Sequence, residues 1–324
     1  MRALVCHRLS EDFSGVDIRD VPTPEPGPGE VLIKVHATSI NYPDLLLCQG
    51  KYQLKLEPPF TPGMDIAGTI AAIGEDVTTF SVGDEVCGGA RFGGFAEYAI
   101  VKADGLQKKP ENLSFDQAAS YSAAYLTAYV ALVRRGHLQA GETLLVHGAS
   151  GGVGMAAIDV GKLLGATVIA TGGNDAKLAK VKAYGADHVI NTADGFRENV
   201  KALTGGRGAD VIYDPVGGDI FDESVRCIAF NGRLLVIGFT SGRIASVSTN
   251  MPLIKGFSVV GVRAGEYGRQ RPEHGRENVE QIWTWAKDGT TRPFVHATLP
   301  LEQTIDGFRM LQNRKVTGKL IVNP

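Results

Sequence analysis

The alternation of hydrophobic and polar positions changes near residue 115. Before it, short apolar segments such as residues 31–35 and 65–73 are separated by turns rich in glycine and proline. Such spacing is typical of short β-strands. Residues 43–49 begin with a proline, which is favoured in the first turn of a helix, and they predict a short helix. The first part of the chain is therefore predicted to be β-rich.

Beyond residue 115, apolar strand-like segments alternate with segments of helical period, beginning with a long alanine-rich helix at 116–132. The alternating segments are predicted as strands 143–147, 166–171, 187–190, 209–214, 233–237 and 257–262, and as helices 152–164, 175–184, 195–203 and 219–229. This alternation predicts a parallel sheet with helices on both faces. Two amphipathic helices at 276–287 and 301–313 and a strand at 319–322 complete the chain.

The order of these patterns predicts one domain inserted into another. The alternating segments occupy residues 122–262 and give an α/β domain of the Rossmann type, with a doubly wound parallel sheet. The β-rich residues 1–121 and the mixed segment 263–324 flank it, and we expect them to form the other domain together. A length of 324 residues agrees with two domains.

Composition and charge narrow the classes of partner. The formal net charge is −2 and no run of like charges occurs, so we expect no nucleic-acid partner. The four cysteines are scattered without a CxxC pair, which argues against a disulfide framework or a zinc ribbon. The N-terminus lacks the apolar stretch of a signal peptide, and no apolar run reaches the length of a membrane span. We therefore expect a cytoplasmic protein without a membrane partner.

Residues 147–157, HGASGGVGMAA, form a glycine-rich turn between a predicted strand and a predicted helix. Ala149, Gly151 and Gly154 fit the A-x-G-x-x-G form of the dinucleotide-binding fingerprint. The helix N-terminus offers N–H groups to a pyrophosphate, and the predicted cofactor contacts are Ser150, Gly151, Gly152 and Val153. The alternative is a turn without a ligand. An ATP-type phosphate loop is disfavoured because no Gly-Lys-Ser/Thr ending follows.

The end of the second predicted strand indicates which dinucleotide binds. An NAD site places an acidic residue there, which accepts a hydrogen bond from the ribose 2′-hydroxyl. Here the strand ends in Gly172-Gly173-Asn174, and Lys177 follows in the next helix. A neutral turn at Gly173 and a lysine favour the 2′-phosphate of NADPH. Asp175 is the counter-argument, but we interpret Asn174 or Asp175 as a helix N-cap. The alternative for Lys177 is a solvated helix lysine.

A set of short stretches distributed along the chain forms a further pattern: SINYPD (39–44), FTPGMDIAG (60–68), GGFAEY (93–98), YLTAY (125–129), the glycine turn, DPVGGD (214–219) and TGK (317–319). Together they resemble the medium-chain dehydrogenase/reductase superfamily, and within it the zinc-free, zeta-crystallin-like quinone oxidoreductase branch. The resemblance covers essentially the whole chain. It implies a GroES-like β-rich domain around the Rossmann domain, and a homodimer in which the sixth strands of two subunits pair edge to edge.

The resemblance also implies roles for single residues. Asn41 matches an asparagine that relatives place near the nicotinamide, and Tyr52 matches a tyrosine that enoyl reductases use as an acid or substrate anchor. Each has a structural alternative, since Asn41 can cap the short helix and Tyr52 can pack on the loop at 58–59. The other implied cofactor contacts are Thr127, Gly238, Phe239, Val262 and Thr192. Close relatives carry a tyrosine in place of Thr192 to hold the 2′-phosphate, so discrimination against NADH is expected to be weaker here.

The zinc-dependent members of this superfamily carry cysteine and a Gly-His-Glu segment as metal ligands. This chain has Gly63-Met64-Asp65 at the matching segment, and residues 41–44 contain no cysteine. We therefore expect no metal site. Without zinc to stabilise an alkoxide, alcohol oxidation is disfavoured. Hydride delivery to an electron-poor acceptor needs only positioning and a hydrogen bond where negative charge develops.

Three functions follow as alternatives. The first is an NADPH-dependent oxidoreductase that reduces quinones or electrophilic alkenes, such as α,β-unsaturated carbonyls. The second is an enoyl-thioester reductase of the acrylyl-CoA type, which Tyr52 acting as an acid would favour. The third is an NADPH-binding structural or RNA-associated protein, and the near-neutral charge argues against RNA.

Overall fold

The computed structural model describes all 324 residues of the chain. Its strands are β1 (Arg2–Cys6), β2 (Val16–Asp20), β3 (Glu30–Ile40), β4 (Asp65–Ile73), β5 (Glu85–Gly89), β6 (Tyr98–Lys102), β7 (Leu106–Lys108), β8 (Thr143–Val146), β9 (Thr167–Gly172), β10 (His188–Asn191), β11 (Ala209–Asp214), β12 (Ile228–Val236), β13 (Ser258–Gly261), β14 (Val295–Pro300) and β15 (Lys319–Asn323).

The helices are α1 (Tyr42–Cys48), α2 (Phe115–Ala119), α3 (Ser122–Tyr129), α4 (Gly152–Leu163), α5 (Asp175–Tyr184), α6 (Arg197–Leu203), α7 (Gly218–Ser224), α8 (Asn250–Lys255), α9 (Ala264–Gln270), α10 (Pro272–Lys287) and α11 (Thr304–Gln312). A π-helical turn, Val130–Arg135, continues α3. None of these helices has both the length and the apolar character that crossing a bilayer requires.

The chain divides into two compact units. The first contains Met1–Ala123 and Arg292–Pro324, and the second contains Ala124–Thr291. The second unit therefore extends beyond the predicted end at residue 262 and includes α9 and α10. Helix α10 is held in this unit by Arg134 of the π-helical turn. The Arg134 side chain donates to Asn278 Oδ1 and Glu277 Oε2 of α10, each at 2.7 Å.

The first unit is built on a sheet of order β14-β15-β3-β4-β5-β7, with β6 also paired to β3. The last strand, β15, runs antiparallel to β3 and places Leu320 opposite Ile40. On its other side, β3 runs antiparallel to β4 and places Ser39 opposite Asp65. The C-terminal segment thus completes a sheet that the N-terminal segment begins, as the sequence predicted.

The second unit is built on a parallel sheet of order β10-β9-β8-β11-β12-β13. Numbered from β8, this is the order 3-2-1-4-5-6 of a doubly wound nucleotide-binding sheet. Consecutive strands are added in one direction as far as β10 and then in the other from β11. In such sheets, ligands bind outside the carboxyl ends of the strands at this reversal, which lies between β8 and β11.

Two predicted helices are wrong in extent. The helix predicted at 116–132 is interrupted after Ala119, because the Ser120 hydroxyl donates to Gln117 O at 2.8 Å and the Tyr121 N–H donates to Ala118 O. Both hydrogen bonds go to the carbonyl three positions earlier, as in a 3₁₀-helix, and they tighten the last turn of α2 and end it. The helix predicted at 219–229 ends at Ser224, because Ile228 already pairs with Ala209 in β11.

Candidate active site

The glycine-rich turn lies at the carboxyl end of β8, beside the reversal point of the sheet. Gly148 adopts a positive φ of 55°, and α4 begins at Gly152. A Cβ on Gly154 would lie 2.5 Å from Gly148 O, so this position requires glycine. The N–H groups of Gly152 and Val153 have no hydrogen-bond partner within the chain. The turn is a backbone cradle of the kind that binds phosphate oxygens.

The turn after β11 borders this cradle. A Cβ on Gly148 would lie 3.3 Å from Pro215 Cγ and 3.3 Å from Val216 Cγ2. The Asp214 carboxylate accepts hydrogen bonds from the N–H groups of Val216 and Gly217 at 2.8 and 2.9 Å. Burial raises the pKa of Asp214, and these two N–H groups oppose the shift. Asp214 therefore stabilises the turn after β11 through hydrogen bonds to the backbone of that turn.

Three of the other predicted cofactor contacts follow the last two strands of the sheet. The Gly238 N–H lies 3.4 Å from Asp214 O, and Phe239 Cδ1 would lie 3.0 Å from a Cβ on Gly217. Val262 is buried, and its N–H donates to Val236 O at 3.0 Å. The structure thus brings Gly238 and Phe239 to the β11 turn. Thr127 is half-buried on α3 in the same unit.

The predicted 2′-phosphate site lies after β9. Thr192 is adjacent to it, because its N–H donates to Gly172 O at 3.0 Å and its Oγ1 would lie 3.9 Å from a Cβ on Gly173. Asn174 caps α5 by accepting from the Lys177 N–H at 3.0 Å, which agrees with the predicted N-cap. The Asp175 carboxylate accepts from Asn191 Nδ2 at 2.6 Å. Burial and the nearby Lys180 lower the pKa of Lys177.

Asn41 belongs to a buried polar cluster in the first unit. Its Nδ2 donates to Asp65 Oδ2 at 3.0 Å and approaches Ser39 O and Oγ at 3.3 Å. Its Oδ1 accepts a hydrogen bond from Lys319 Nζ, and this ammonium lies 3.7 Å from Asp65 Oδ2. Asn41 stands at the N-cap of α1, but its side chain faces Lys319 and Asp65.

The cluster contains two carboxyl groups and one ammonium with almost no exposure to solvent. Asp44 and Asp65 are 0% and 1% exposed, and Lys319 is 6% exposed. Burial raises the pKa of Asp44 to about 7, although the N–H groups of Asn41 and Gly63 donate to its carboxylate. Burial lowers the pKa of Lys319, and the charges of Asp65 and Asp44 oppose this shift.

Tyr52 is half-buried and packs against the apolar core of the first unit, which also contains Leu47, Phe60 and Phe308. Its N–H donates to Leu46 O at 3.2 Å, just beyond the end of α1. The ring thus packs on this core, and its packing on the loop at 58–59 stays a prediction. The catalytic role of Tyr52 stays a prediction.

Two family models match the chain. Residues 27–111 match the alcohol dehydrogenase GroES-like domain, and residues 152–285 match the zinc-binding dehydrogenase domain. A quinone oxidoreductase-like protein 2 homolog from Nematostella vectensis is 38% identical over 326 residues, covering 99% of this chain and 88% of the relative. The chain belongs to the medium-chain dehydrogenase/reductase superfamily.

Further members of the superfamily refine this placement. The quinone oxidoreductase of Sus scrofa is 33% identical, over 94% of this chain and 92% of the relative. The crystal structure of Escherichia coli quinone oxidoreductase complexed with NADPH superposes with a TM-score of 0.92 at 26% identity and covers 100% of both chains. The protein is therefore an oxidoreductase of the quinone oxidoreductase branch, with a Rossmann sheet and a GroES-like domain.

One of the two matching family models is described as a zinc-binding dehydrogenase, so we looked for possible zinc ligands in this chain. No group of three or more His, Cys, Asp or Glu residues lies close enough together to hold a metal ion. All four cysteines are buried. Met64 stands in the segment where zinc-dependent members carry histidine, and a thioether is a poor zinc ligand.

Sequence reasoning assigned no role to Lys319, Asp65 or Asp44, although each lies in a stretch that resembles the superfamily. A signal was present. Lys319 opens the otherwise apolar strand KLIV, and Asp65 opens DIAG. A charged residue at the start of a buried strand needs a partner of opposite charge, but the sequence does not say which one.

Proposed function

We propose that the protein is an NADPH-dependent reductase of quinones or electrophilic alkenes that works without zinc. The observation that carries the proposal is the backbone cradle at Gly151–Gly154, at the reversal point of the doubly wound sheet. Its support from relatives is the full-length similarity to quinone oxidoreductases, one of them crystallised with NADPH. When bound, NADPH supplies a hydride from its nicotinamide ring.

Different residues of the second unit bind different parts of this cofactor. The N–H groups of Gly152 and Val153, with the positive end of the α4 dipole, bind the pyrophosphate. Lys177 neutralises the 2′-phosphate, beside Gly173 and Thr192. No acidic residue stands at the end of β9, where Gly172, Gly173 and Asn174 follow one another, and the nearby Asp175 begins α5 and accepts a hydrogen bond from Asn191. This favours NADPH over NADH.

Asn41 is the residue of the first unit that we propose contacts the reacting groups. It is 9% exposed, whereas its partners Asp65 and Asp44 are almost completely buried. An acceptor that is already electron-poor needs no metal to polarise it, and water can protonate the reduced product. The side chains at Gly63-Met64-Asp65 support a zinc-free reaction. Enzyme that retains full turnover after dialysis against a chelator, with no bound zinc by elemental analysis, is the expected result.

The first experiment follows nicotinamide absorbance with NADPH or NADH and three acceptors: a simple quinone, an enal and a short enoyl-CoA. We expect faster oxidation of NADPH, with the quinone or the enal. Turnover confined to the enoyl-CoA and abolished by Tyr52→Phe would favour the enoyl-thioester reductase instead. Binding of NADPH without reduction of any acceptor would contradict an enzymatic role and favour a binding protein.

The cofactor assignment is tested separately with two lysines of α5. Lys177→Ala should raise the KM for NADPH about tenfold, or about 1.4 kcal/mol, and leave the KM for NADH unchanged. The exposed Lys180→Ala is the matched control and should have a smaller effect. An unchanged preference for NADPH in Lys177→Ala would show that the 2′-phosphate is held elsewhere.

We also propose that a second copy of this chain covers the outer edge of β13. This strand has one neighbour, β12, and its other edge is unpaired. Around it lies an exposed apolar patch, the β13 patch, in which Phe230, Leu253, Ile254 and Val259 are 85%, 82%, 73% and 39% exposed. An unpaired edge beside apolar side chains is a template for two-fold strand pairing.

A further inference from the structure

The carboxamide of Asn41 is held between two buried charges of opposite sign. The strand register explains why they meet. Leu320 pairs with Ile40 across β15 and β3, so Lys319 lies next to Asn41, and Ser39 pairs with Asp65 across β3 and β4. The start of β15, the end of β3 and the start of β4 therefore converge on one amide.

The two charges leave the amide one orientation. The Lys319 ammonium has donors only, so it must face Asn41 Oδ1, and an ionised Asp65 has acceptors only, so it must face Nδ2. Rotating the amide by 180° would place Nδ2 against the ammonium and Oδ1 against the carboxylate. Both contacts would then be repulsive, in a site that excludes water and so screens charge poorly.

The same contacts use up the donors of the amide. One Nδ2 hydrogen is directed to Asp65 Oδ2, and Ser39 O and Oγ accept the other. Lys319 occupies one of the two lone-pair positions of Oδ1, which leaves the other. In this arrangement Asn41 has no N–H left to offer a developing negative charge, but it can still accept one hydrogen bond.

We propose that Lys319 and Asp65 are positioning residues that fix the Asn41 carboxamide as a hydrogen-bond acceptor, so that Asn41 binds an N–H or O–H group of its ligand. This inference rests on the proposed function, in which Asn41 contacts the reacting groups. It assigns the ligand side of the contact to a donor such as a primary carboxamide. The negative charge of a reduced acceptor must then be stabilised by another group or by water.

The test is a double-mutant cycle on kcat. Lys319→Met with Asp65→Asn removes together the two charges that face the Asn41 amide, and the residue at 65 keeps an acceptor oxygen. The neighbouring Asp44 carboxyl keeps its N–H donors, Asn41 and Gly63. This pair variant should lower kcat about tenfold. In the Asn41→Ala background the same pair should change kcat less than twofold, because its target is gone. Losses that multiply independently would overturn the proposal.

A second measurement does not depend on turnover. In uniformly ¹⁵N-labelled protein, the side-chain amide signal of Asn41 is identified by its loss in Asn41→Ala. Its hydrogens should exchange slowly with solvent in the wild type and at least tenfold faster in the pair variant. Unchanged exchange would overturn the proposal, whereas fast exchange without turnover of any acceptor would leave it standing and reject the proposed function. If the pair variant does not fold, Lys319→Gln serves in both measurements.

Discussion

At the scale of single residues, two buried tyrosines of the second unit differ in their hydrogen bonds. The Tyr125 hydroxyl donates to Asp159 Oδ2 at 2.7 Å and lies 3.2 Å from the Tyr184 hydroxyl. The Tyr213 hydroxyl, in β11, is buried without a hydrogen-bond partner. A buried hydroxyl without a partner costs free energy of folding, whereas a bonded one contributes to stability. Burial raises the pKa of both phenols, so both stay neutral.

We expect Tyr213→Phe to raise the free energy of unfolding by about 1 kcal/mol, because it removes a desolvated hydroxyl and keeps the ring. Tyr125→Phe is the matched control and should lower it by about 1 kcal/mol or more, because the Asp159 carboxylate loses a donor. Urea unfolding of the two variants and the wild type gives both values. Destabilisation of similar size in both would mean that Tyr213 has a partner, such as an internal water.

At the scale of elements, the two glycines of the cofactor turn have different jobs. A Cβ on Gly154 would meet Gly148 O at 2.5 Å and Ala149 Cα at 2.8 Å, so α4 approaches the turn too closely for any side chain. A Cβ on Gly151 would meet only Gly148 O, at 3.3 Å, and Gly151 has a φ of −81° that alanine adopts readily. Gly154 is therefore needed for the packing of α4, and Gly151 for the close approach of a ligand.

Alanine substitutions should therefore separate stability from binding. Gly154→Ala should lower the free energy of unfolding by about 1–3 kcal/mol, because it overpacks the helix against backbone. Gly151→Ala should change it by less than about 1 kcal/mol but weaken NADPH binding at least tenfold, because its methyl group occupies the pyrophosphate side. Thermal unfolding and cofactor titration measure the two effects. Equal loss of stability in both variants would contradict this division.

A buried histidine joins three elements of the second unit. His147 follows β8 directly, and its ring nitrogens lie 2.7 Å from Thr171 Oγ1 in β9 and 2.8 Å from Ser224 Oγ in α7. Burial lowers the pKa of His147 to about 3, from an ordinary value of 6.5. The ring is therefore neutral in the folded protein, and protonation favours the unfolded chain. The histidine stabilises fully above pH 6.5, and its contribution is lost as the pH falls from 6.5 towards 3.

The carboxyl group of Asp44 acts in the opposite direction, since burial raises its pKa to about 7 from 3.8. Its ionisation costs stability above pH 7, and this cost is relieved as the pH falls towards 3.8. The contribution of His147 to the pH dependence of stability is therefore obtained by comparing His147→Gln with the wild type, since Asp44 is present in both. Between pH 7 and pH 5, His147→Gln should lose about 2 kcal/mol less stability than the wild type, whatever its stability at pH 7. Parallel stability curves for the two proteins would contradict this prediction.

At the scale of the whole molecule, the proposed dimer depends on the β13 patch. Leu253→Glu places a charge among the apolar side chains that a second copy would cover, so we expect a monomer in light scattering coupled to size exclusion. Leu203→Glu is the matched control. Leu203 is also exposed and apolar, but it lies on α6, which follows the opposite edge strand β10. A dimer that persists in Leu253→Glu would place the interface on another surface.

Much of the fold could be predicted because its signals are local. The bounds of β4 and α5 follow from apolar period and flanking turns, and the strand–turn–helix at Thr143–Leu163 follows from its glycines. The short pairing partners β1 and β2 were not predicted, nor was the small helix α8. Their apolar positions become informative only through the neighbours on which they pack. For the same reason, the sequence did not show that α9 and α10 belong to the second unit.

The sequence by itself determined the doubly wound sheet, the glycine cradle and the neutral turn before Lys177, since each depends on residues adjacent in the chain. It also determined that no histidine stands beside Gly63. The tertiary structure alone decided the state of Asn41. Lys319 reaches Asn41 from 278 positions away, and only the pairing of β15 with β3 brings the two together. Strand register depends on the packing of whole sheet faces, so no local pattern encodes which buried charge meets which amide.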